Sequence, residues 1–242
     1  MASHGKQRHL KRMAAPLSMG IAHKGGHVWL KKPVAGKHRE RESIPLVVFL
    51  RERMHFAETL RQAKKLVNAG EVLVDGLKPS DVSIPLGLMD VVSIPKLNSF
   101  YRLVFVKGGV LFPINVSAEK AGEKLCRIAG KTMVKKGKIQ LNLHDGRVYL
   151  IEKEEDRFHP GDTIVLKLGG KGKQELKGFL KMEKGASCYV WKGRHCGATG
   201  KLEEIIPRAG SRPEEARLKT EGGEFTTLKD YLFVVDEHFK IS

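Results

Sequence analysis

Residues 58–76 read Glu-Thr-Leu-Arg-Gln-Ala-Lys-Lys-Leu-Val-Asn-Ala-Gly-Glu-Val-Leu-Val-Asp-Gly, and this stretch decides how the chain is read. Thr59 followed three residues later by Gln62 forms a capping box. The hydroxyl accepts an amide that the first helical turn leaves without a partner, and the glutamine side chain reaches back to the cap. A helix is therefore predicted to begin here. Leu60, Ala63 and Val67 recur at helical spacing as an inward stripe, while Arg61, Lys64, Lys65 and Asn68 fall on the flanking outward surface. Gly70 ends the helix, because glycine takes the left-handed backbone of that cap without strain. Val72 and Val74 then alternate with Leu73, and Asp75-Gly76 is a pair that reverses one strand into the next. The stretch encodes a capped basic helix joined directly to a hairpin.

The whole chain has 242 residues, 41% of them hydrophobic, which is enough for two or three small cores and predicts several domains. Lys and Arg number 44 against 27 Asp and Glu, giving a net charge of +17. A polyanionic partner is the leading expectation, and an anionic membrane surface would also attract this charge. No apolar run approaches the roughly 18 residues needed to span a bilayer, and the first thirty residues carry no apolar signal core. A soluble cytoplasmic protein is expected. The three cysteines, Cys126, Cys188 and Cys196, have no Cys-x-x-Cys spacing, so neither a disulfide framework nor a zinc ribbon is indicated. Cys188, His195 and Cys196 are close in sequence, but adjacent His-Cys ligands fit one tetrahedral ion poorly and a fourth ligand is missing, so no metal is expected.

The basic charge is concentrated in two places. Residues 1–42 hold ten Lys and Arg against two Glu, and residues 171–202 hold eight against two, whereas residues 203–242 are net acidic. The front stretch has few periodic apolar residues and cannot fold alone. It reads either as a disordered tail or as an arm that orders against nucleic acid. Trp29 between Val28 and Leu30, and the run Leu10, Met13, Ala14 and Leu17, favour an arm with docking points. After it, Ser43 and Pro45 introduce a helix over Leu46 to Met54, with Leu46, Phe49, Leu50 and Arg53 on one face. Ser80 to Leu86 reads as loop and Met89 to Ile94 as a short strand, so a first folded unit is expected to end near residue 100.

Tyr101 to Val106 and Val110 to Ile114 form a hairpin through Lys107-Gly108-Gly109. Ser117 is expected to cap a helix with Ala118, Ala121, Leu125 and Ile128 on one face, stopped by Gly130. Ile139, Leu141 and Leu143, then Asp145-Gly146, then Val148 to Ile151 make the clearest hairpin in the sequence. Pro160-Gly161-Asp162 is a turn, and Ile164, Leu166 and Leu168 alternate as a strand. Gly-Gly-Lys-Gly-Lys at 169–173 is a basic linker to the last unit. That unit contains Tyr189-Val190-Trp191 as strand, a turn with Gly193, Gly197 and Gly200, and a final run Tyr231 to Val235. The last run either completes a barrel or packs on the middle domain.

Two local patterns resemble known modules. The helix and hairpin at 58–76 resemble the S-four RNA-binding domain, in which a basic helix and the following hairpin grip structured RNA. The glycine spacing from Gly193 to Gly200 resembles the KOW motif of small SH3-like barrels in ribosomal proteins and transcription factors, although Trp191 and Lys192 stand where small residues are usual. The order of parts resembles the archaeal and eukaryotic small-subunit ribosomal protein four family. His9-Leu-Lys-Arg12, Gly87-Leu-Met-Asp90, Gly137-Lys-Ile-Gln-Leu-Asn-Leu-His-Asp-Gly146, Gly193-Arg-His195 and Thr227-Leu-Lys-Asp-Tyr231 carry that resemblance over nearly all of the chain. The compact length leans toward the archaeal type.

The resemblance implies an α+β, multidomain protein: a basic rRNA-binding extension over 1–42, a small S-four αα-plus-hairpin domain over 43–100, a β-rich central domain over 101–170, and an SH3-like KOW barrel with an acidic final strand over 171–242. It implies a structural constituent of the small ribosomal subunit, partnered by small-subunit rRNA and neighbouring subunit proteins. The candidate RNA-binding residues are Lys6, Arg8, Lys11, Arg12, Lys31, Lys32, Arg51, Arg53, Arg61, Lys64, Lys65, Lys171, Lys173, Lys192, Arg194 and His195, with Gly193, Gly197 and Gly200 expected to bring backbone close to phosphates.

No cofactor or catalytic residue is expected. Gly130-Lys131-Thr132 copies the end of a phosphate-binding loop, but the glycine needed five positions earlier is Leu125. Neither a Gly-x-Ser-x-Gly elbow nor a His-Glu-x-x-His helix is present. An RNA-modifying enzyme and a free regulatory RNA-binding protein, both built on an S-four module, are the alternatives.

Overall fold

The computed structural model describes residues 9–22, 26–134, 137–152, 156–168, 174–208, 210, 213–220, 222–236 and 239. The front of the chain is docked. Strand β1 (Leu10–Lys11) pairs antiparallel with β2 (Trp29–Leu30), Leu10 opposite Leu30 and Lys11 opposite Trp29. Leu10, Met19 and Leu30 enter the main core, and the Val34 amide donates to the Ser83 carbonyl at 3.1 Å. For the described part of 1–42 this corrects the expectation of a disordered tail or of an arm that orders against nucleic acid: the order is made against the protein itself. The stretch does not build a core of its own; it borrows the one built by residues 43–115. Of the expected docking points Leu10 and Leu30 are buried, whereas Met13, Leu17 and Trp29 are 69%, 70% and 56% exposed.

Strand β3 (Ile44–Pro45) leads into α1 (Leu46–Val48), which widens into a π-helical turn over Phe49–Arg53 with Leu46, Phe49 and Leu50 buried. Helix α2 (Leu60–Asn68) begins at the expected capping box: Thr59 Oγ1 accepts the Gln62 amide at 3.2 Å and Gln62 Oε1 accepts the Thr59 amide at 3.0 Å. Its end makes both bonds of the Schellman motif, Glu71 N–H to Leu66 O at 3.2 Å and Gly70 N–H to Val67 O at 3.0 Å, with Gly70 at φ 74°. Ala63 and Val67 are buried as expected, but Leu60 is 37% exposed, and Leu66 packs on the core in its place.

Strand β4 (Leu73–Val74) is followed by Asp75 and Gly76, both left-handed at φ 51° and 75°. The expected hairpin is reduced to a single bridge, Val74 to Leu77, and β4 instead pairs with β6 (Val91–Ile94). Between them β5 (Pro85–Leu86) pairs with β3, where a loop was expected. Strands β7 (Ser99–Val106) and β8 (Val110–Asn115) complete an antiparallel sheet of order β4-β6-β7-β8. That sheet runs through residue 100, so the chain has no structural break at the expected boundary.

Helix α3 (Ala118–Ala121) is only one turn, and β9 (Glu123–Met133) replaces the helix expected to run to Gly130. Leu125 and Ile128 sit at helical spacing by coincidence. In the fold β9 is the central strand between β10 (Ile139–Leu143) and β12 (Thr163–Leu168), with Leu125 in the main core and Cys126 and Ile128 in a second one. Ladder pairing on both edges and burial on both faces override local propensity. Gly130 is therefore a strand residue and not a helix cap. The Asp145-Gly146 turn joins β10 to β11 (Val148–Ile151) as expected.

Strand β13 (Gln174–Leu180) ends this second sheet, of order β11-β10-β9-β12-β13, which carries the central unit past residue 170. The remaining strands are β14 (Ser187–Val190), β15 (Thr199–Ile206), β16 (Glu215–Thr220), β17 (Gly223–Leu228) and β18 (Leu232–Val234). They form a third sheet of order β17-β16-β15-β14-β18, so the final run completes its own sheet. Leu125, Val165, Tyr189 and Phe233 all join the main core, and Tyr189 donates its hydroxyl to the Phe105 carbonyl at 2.5 Å.

Candidate nucleic-acid interface

Helix α2 is held at both ends by its caps and along one side by Ala63 and Val67. Arg61, Lys64 and Lys65 stand on the remaining side, exposed, with no ion pair among the described residues. Lys78 Nζ donates to the Asn68 carbonyl at 2.6 Å and places another cation at the helix C-terminus, where the helix dipole favours it. Beside the helix lies a shallow hollow of about 610 Å³ whose lining includes His55, Phe56, Gln62, Lys65 and Glu71. A rigid helix with three unneutralised cations is suited to binding phosphates.

Several other expected contacts turn inward. Arg12 is 6% exposed; its guanidinium donates to the His27 and Ala22 carbonyls at 2.8 and 3.0 Å and to Glu52 at 3.0 Å. Arg51 turns to the same Glu52 at 3.3 Å. Arg53 donates to the Leu111 carbonyl at 2.9 Å beneath Phe112, and burial lowers its pKa. Arg12 and Arg53 fasten the extension and the first helix to the core, while Arg51 is tied to its sequence neighbour. None can reach a phosphate without giving up buried hydrogen bonds. His195 stacks on Phe225 at a ring separation of 4.2 Å, and is likewise half-buried.

Lys192 pairs with Glu42 at 3.0 Å, and Lys32 with Glu40 at 3.2 Å. Lys11, Lys31 and Arg194 are exposed. Lys6, Arg8, Lys171 and Lys173 lie outside the described residues.

The glycines near residue 195 also serve the fold. Gly197, at φ 90°, lies against the backbone of Val106 and Lys107, where a Cβ would come within 2.8 Å of the Lys107 nitrogen. Gly200 is in β15 with ordinary φ, and a Cβ there would meet the Lys219 carbonyl at 2.7 Å. The close backbone approach expected toward phosphates is, at both positions, made to protein. Gly193 holds φ 90° beside the Tyr231 ring.

A group of charges that the sequence did not bring together lies where the first two sheets meet. Lys124 is completely buried, and its Nζ contacts Asp75 at 2.9 Å, Asp145 at 3.1 Å and Asp90. Lys37 and Arg147 add to Asp75, Arg147 also to Asp145, and His38 Nε2 is 2.9 Å from Asp90. Burial alone would discharge Lys124, Asp90 and Asp145. For Lys124 the three aspartates outweigh it and raise the pKa well above the ordinary lysine value. Burial likewise opposes ionisation of Asp90, but His38, Lys124 and Lys37 hold its carboxyl well below the usual range. Asp145 is brought down to about 2 against its own burial, chiefly by Lys124, His144 and Arg147.

Gly87 belongs to this arrangement, because a Cβ there would collide with the His38 ring at 2.3 Å, and its amide donates to Asp90 at 2.9 Å. Asp75 and Asp145 were legible only as turn formers and Asp90 only as part of a strand; an acid set between apolar residues, as in Met89-Asp90-Val91, was the available signal.

Cys126, His144 and Asp145 have ligand atoms within 4.8 Å of one another. His144 Nδ1 accepts the Arg127 amide at 3.2 Å and Nε2 faces the Leu88 carbonyl at 3.2 Å, which fixes the proton on Nε2 and leaves no lone pair for a metal. Burial also pushes the Cys126 thiol far up, away from the thiolate a metal would need.

Comparison with known proteins fits this arrangement. The S4 domain model matches residues 44–92, which include α2 and its caps, and the model of the ribosomal family S4e matches residues 97–172. The structure is similar to the crystal structure of the 30S ribosomal protein S4e from Thermoplasma acidophilum, with a TM-score of 0.68 and 26% identity, covering 81% of this chain and 96% of that one. Small ribosomal subunit protein eS4 from Methanothermobacter thermautotrophicus is 40% identical over 236 residues, 97% of this chain and 95% of that protein. The eS4 of Methanocaldococcus jannaschii is also 40% identical, over 98% of this chain and 97% of that protein. The chain is thus an S4-domain protein. It belongs to the small ribosomal subunit protein eS4 family.

Proposed function

We propose that this protein is a non-enzymatic structural component of the small ribosomal subunit in the cytoplasm, where it binds and stabilises small-subunit rRNA as part of the translating ribonucleoprotein. The observation that carries this reading is the surface of α2, where Arg61, Lys64 and Lys65 are fixed outward without carboxylate partners among the described residues. It falls within the S4-domain match, and the curated relatives are named as small-subunit proteins over nearly their full length. The exposed cations of the extension, Lys11 and Lys31, extend the RNA surface, with Lys6 and Arg8 preceding them in the sequence.

In this reading the chain works as a docked extension, an S-four unit, a β-rich central unit and a C-terminal SH3-like KOW barrel. In the barrel, Arg194 on the turn after β14 is a secondary phosphate contact and Lys192 is braced by Glu42. Residues turned away from these surfaces meet neighbouring subunit proteins. Co-sedimentation after a high-salt wash tests the proposal: the protein should remain with small subunits, and complete release into the free pool would contradict it.

A further inference from the structure

We propose that Trp29 is a stacking platform for an unpaired RNA base, a role that rests on the rRNA-binding reading above and specifies which kind of nucleotide the extension meets. The β1–β2 register buries Leu10 and Leu30 and turns their neighbours, Lys11 and Trp29, outward as a cross-strand pair. Trp29 is more than half exposed, and so is Val28 before it. An exposed apolar residue needs no explanation by itself, so the reading rests on what surrounds this one.

Its surroundings say what kind of contact. Lys11 Nζ lies 5.3 Å from the centre of the indole, His9 meets it edge-on at 5.8 Å, and Lys31 is exposed two residues on. A protein-binding tryptophan is ordinarily ringed by apolar and neutral polar groups. Here the two groups that meet the ring, Lys11 and His9, are basic, as is Lys31, and only Val28 adds apolar surface, which matches a nucleotide: the base takes the ring face and the phosphates on either side take the cations. Bases inside an A-form helix keep their faces stacked on one another, so only a bulged, looped or single-stranded base has a face to give.

The platform is also fixed in advance. The Arg12 amide donates to the Val28 carbonyl at 2.9 Å, and the buried Arg12 side chain grips the His27 carbonyl. The other tryptophan provides the contrast. Trp191 donates its indole N–H to the Asp230 carbonyl at 3.1 Å, packs near Phe105, and has its neighbouring cation, Lys192, tied to Glu42.

The chain has only these two tryptophans, so a Trp191→Phe background makes Trp29 the sole indole reporter. Full-length protein is titrated with small-subunit rRNA while fluorescence and filter-retention affinity are read separately. Stacking predicts saturable quenching of Trp29. Trp29→Ala should weaken binding by roughly 5- to 100-fold without changing the dependence on salt, because no phosphate contact is lost, and Trp29→Phe should retain most of the affinity. The exposed position of Trp29 keeps its variants folded, and thermal melting verifies this for them and for the Trp191→Phe background. If rRNA binds but Trp29 is not quenched and Trp29→Ala binds like the parent, the platform is refuted and the rRNA reading stands. If Trp29→Ala impairs incorporation alongside subunit proteins but not affinity for naked rRNA, the surface is for protein and the proposal fails. If no rRNA is bound at all, both fail together.

Discussion

Lys64 and Lys65 stand on α2 with their charges in solvent, whereas Lys124 is completely buried among Asp75, Asp90 and Asp145. The same side chain serves opposite purposes in the two places. In the cluster, attraction within a low-dielectric interior offsets the cost of desolvation only because three carboxylates and two further cations meet there. On α2 no carboxylate partner is found among the described residues, so the charge stays available to an external anion. A net charge of +17 therefore says little by itself. The proposed interface rests on the subset of cations that pair with no carboxylate among the described residues.

Removing the buried cation should have the largest effect. Lys124→Met leaves three aspartates around an apolar side chain and should cost about 3–5 kcal/mol of stability in urea unfolding, as for other broken buried pairs. Lys64→Met should change stability by no more than about 0.5 kcal/mol. Equal midpoints for the two variants would erase the distinction between the regions.

The glycine turn after β14 belongs with the cluster as a structural feature. Gly197→Ala forces a side chain into the left-handed region and against the Lys107 nitrogen, which should cost about 2 kcal/mol. The dependence of rRNA binding on salt should stay as in the parent. A variant of undiminished stability with a flattened salt dependence would move this turn to the RNA surface.

A further effect separates the regions by pH. Burial lowers the His144 pKa to about 4 from an ordinary 6.5, so the unfolded chain takes up that proton first. The stabilisation is complete above the unfolded value and declines as pH falls from 6.5 toward 4. Asp145, held at about 2 against an ordinary 3.8, extends the decline below 3.8. The urea midpoint should fall between pH 7 and pH 4, and His144→Gln should remove most of that upper slope. An unchanged slope in His144→Gln would assign the acid sensitivity elsewhere.

The parts of the fold that were legible in the sequence are those whose signals are local. The Thr59–Gln62 box, the Gly70 stop and the Asp145-Gly146 turn each act over a few residues, and each forms as read. Strand β9 was not legible, because Leu125 and Ile128 fit a helix equally well and the strands that decide the matter, β10 and β12, come later in the chain. The cluster escaped for the same reason: Lys124 meets Asp75 across 49 positions and Asp90 across 34. Arg12 was read as an RNA contact because its partner, Glu52, lies 40 residues away. Helical periodicity could show that Arg61, Lys64 and Lys65 point outward. It could not show which other cations the fold would consume.

The most direct measurement is the salt dependence of rRNA affinity for a protein carrying Arg61→Ala, Lys64→Ala and Lys65→Ala together. Each neutralised phosphate releases roughly 0.7 to 0.9 counterions, so losing three contacts should flatten the plot of log affinity against log salt by about two to three units. The urea midpoint should hold, since Ala63 and Val67 are untouched. A properly folded triple variant with the parent's salt slope would show that α2 is not the phosphate-binding surface.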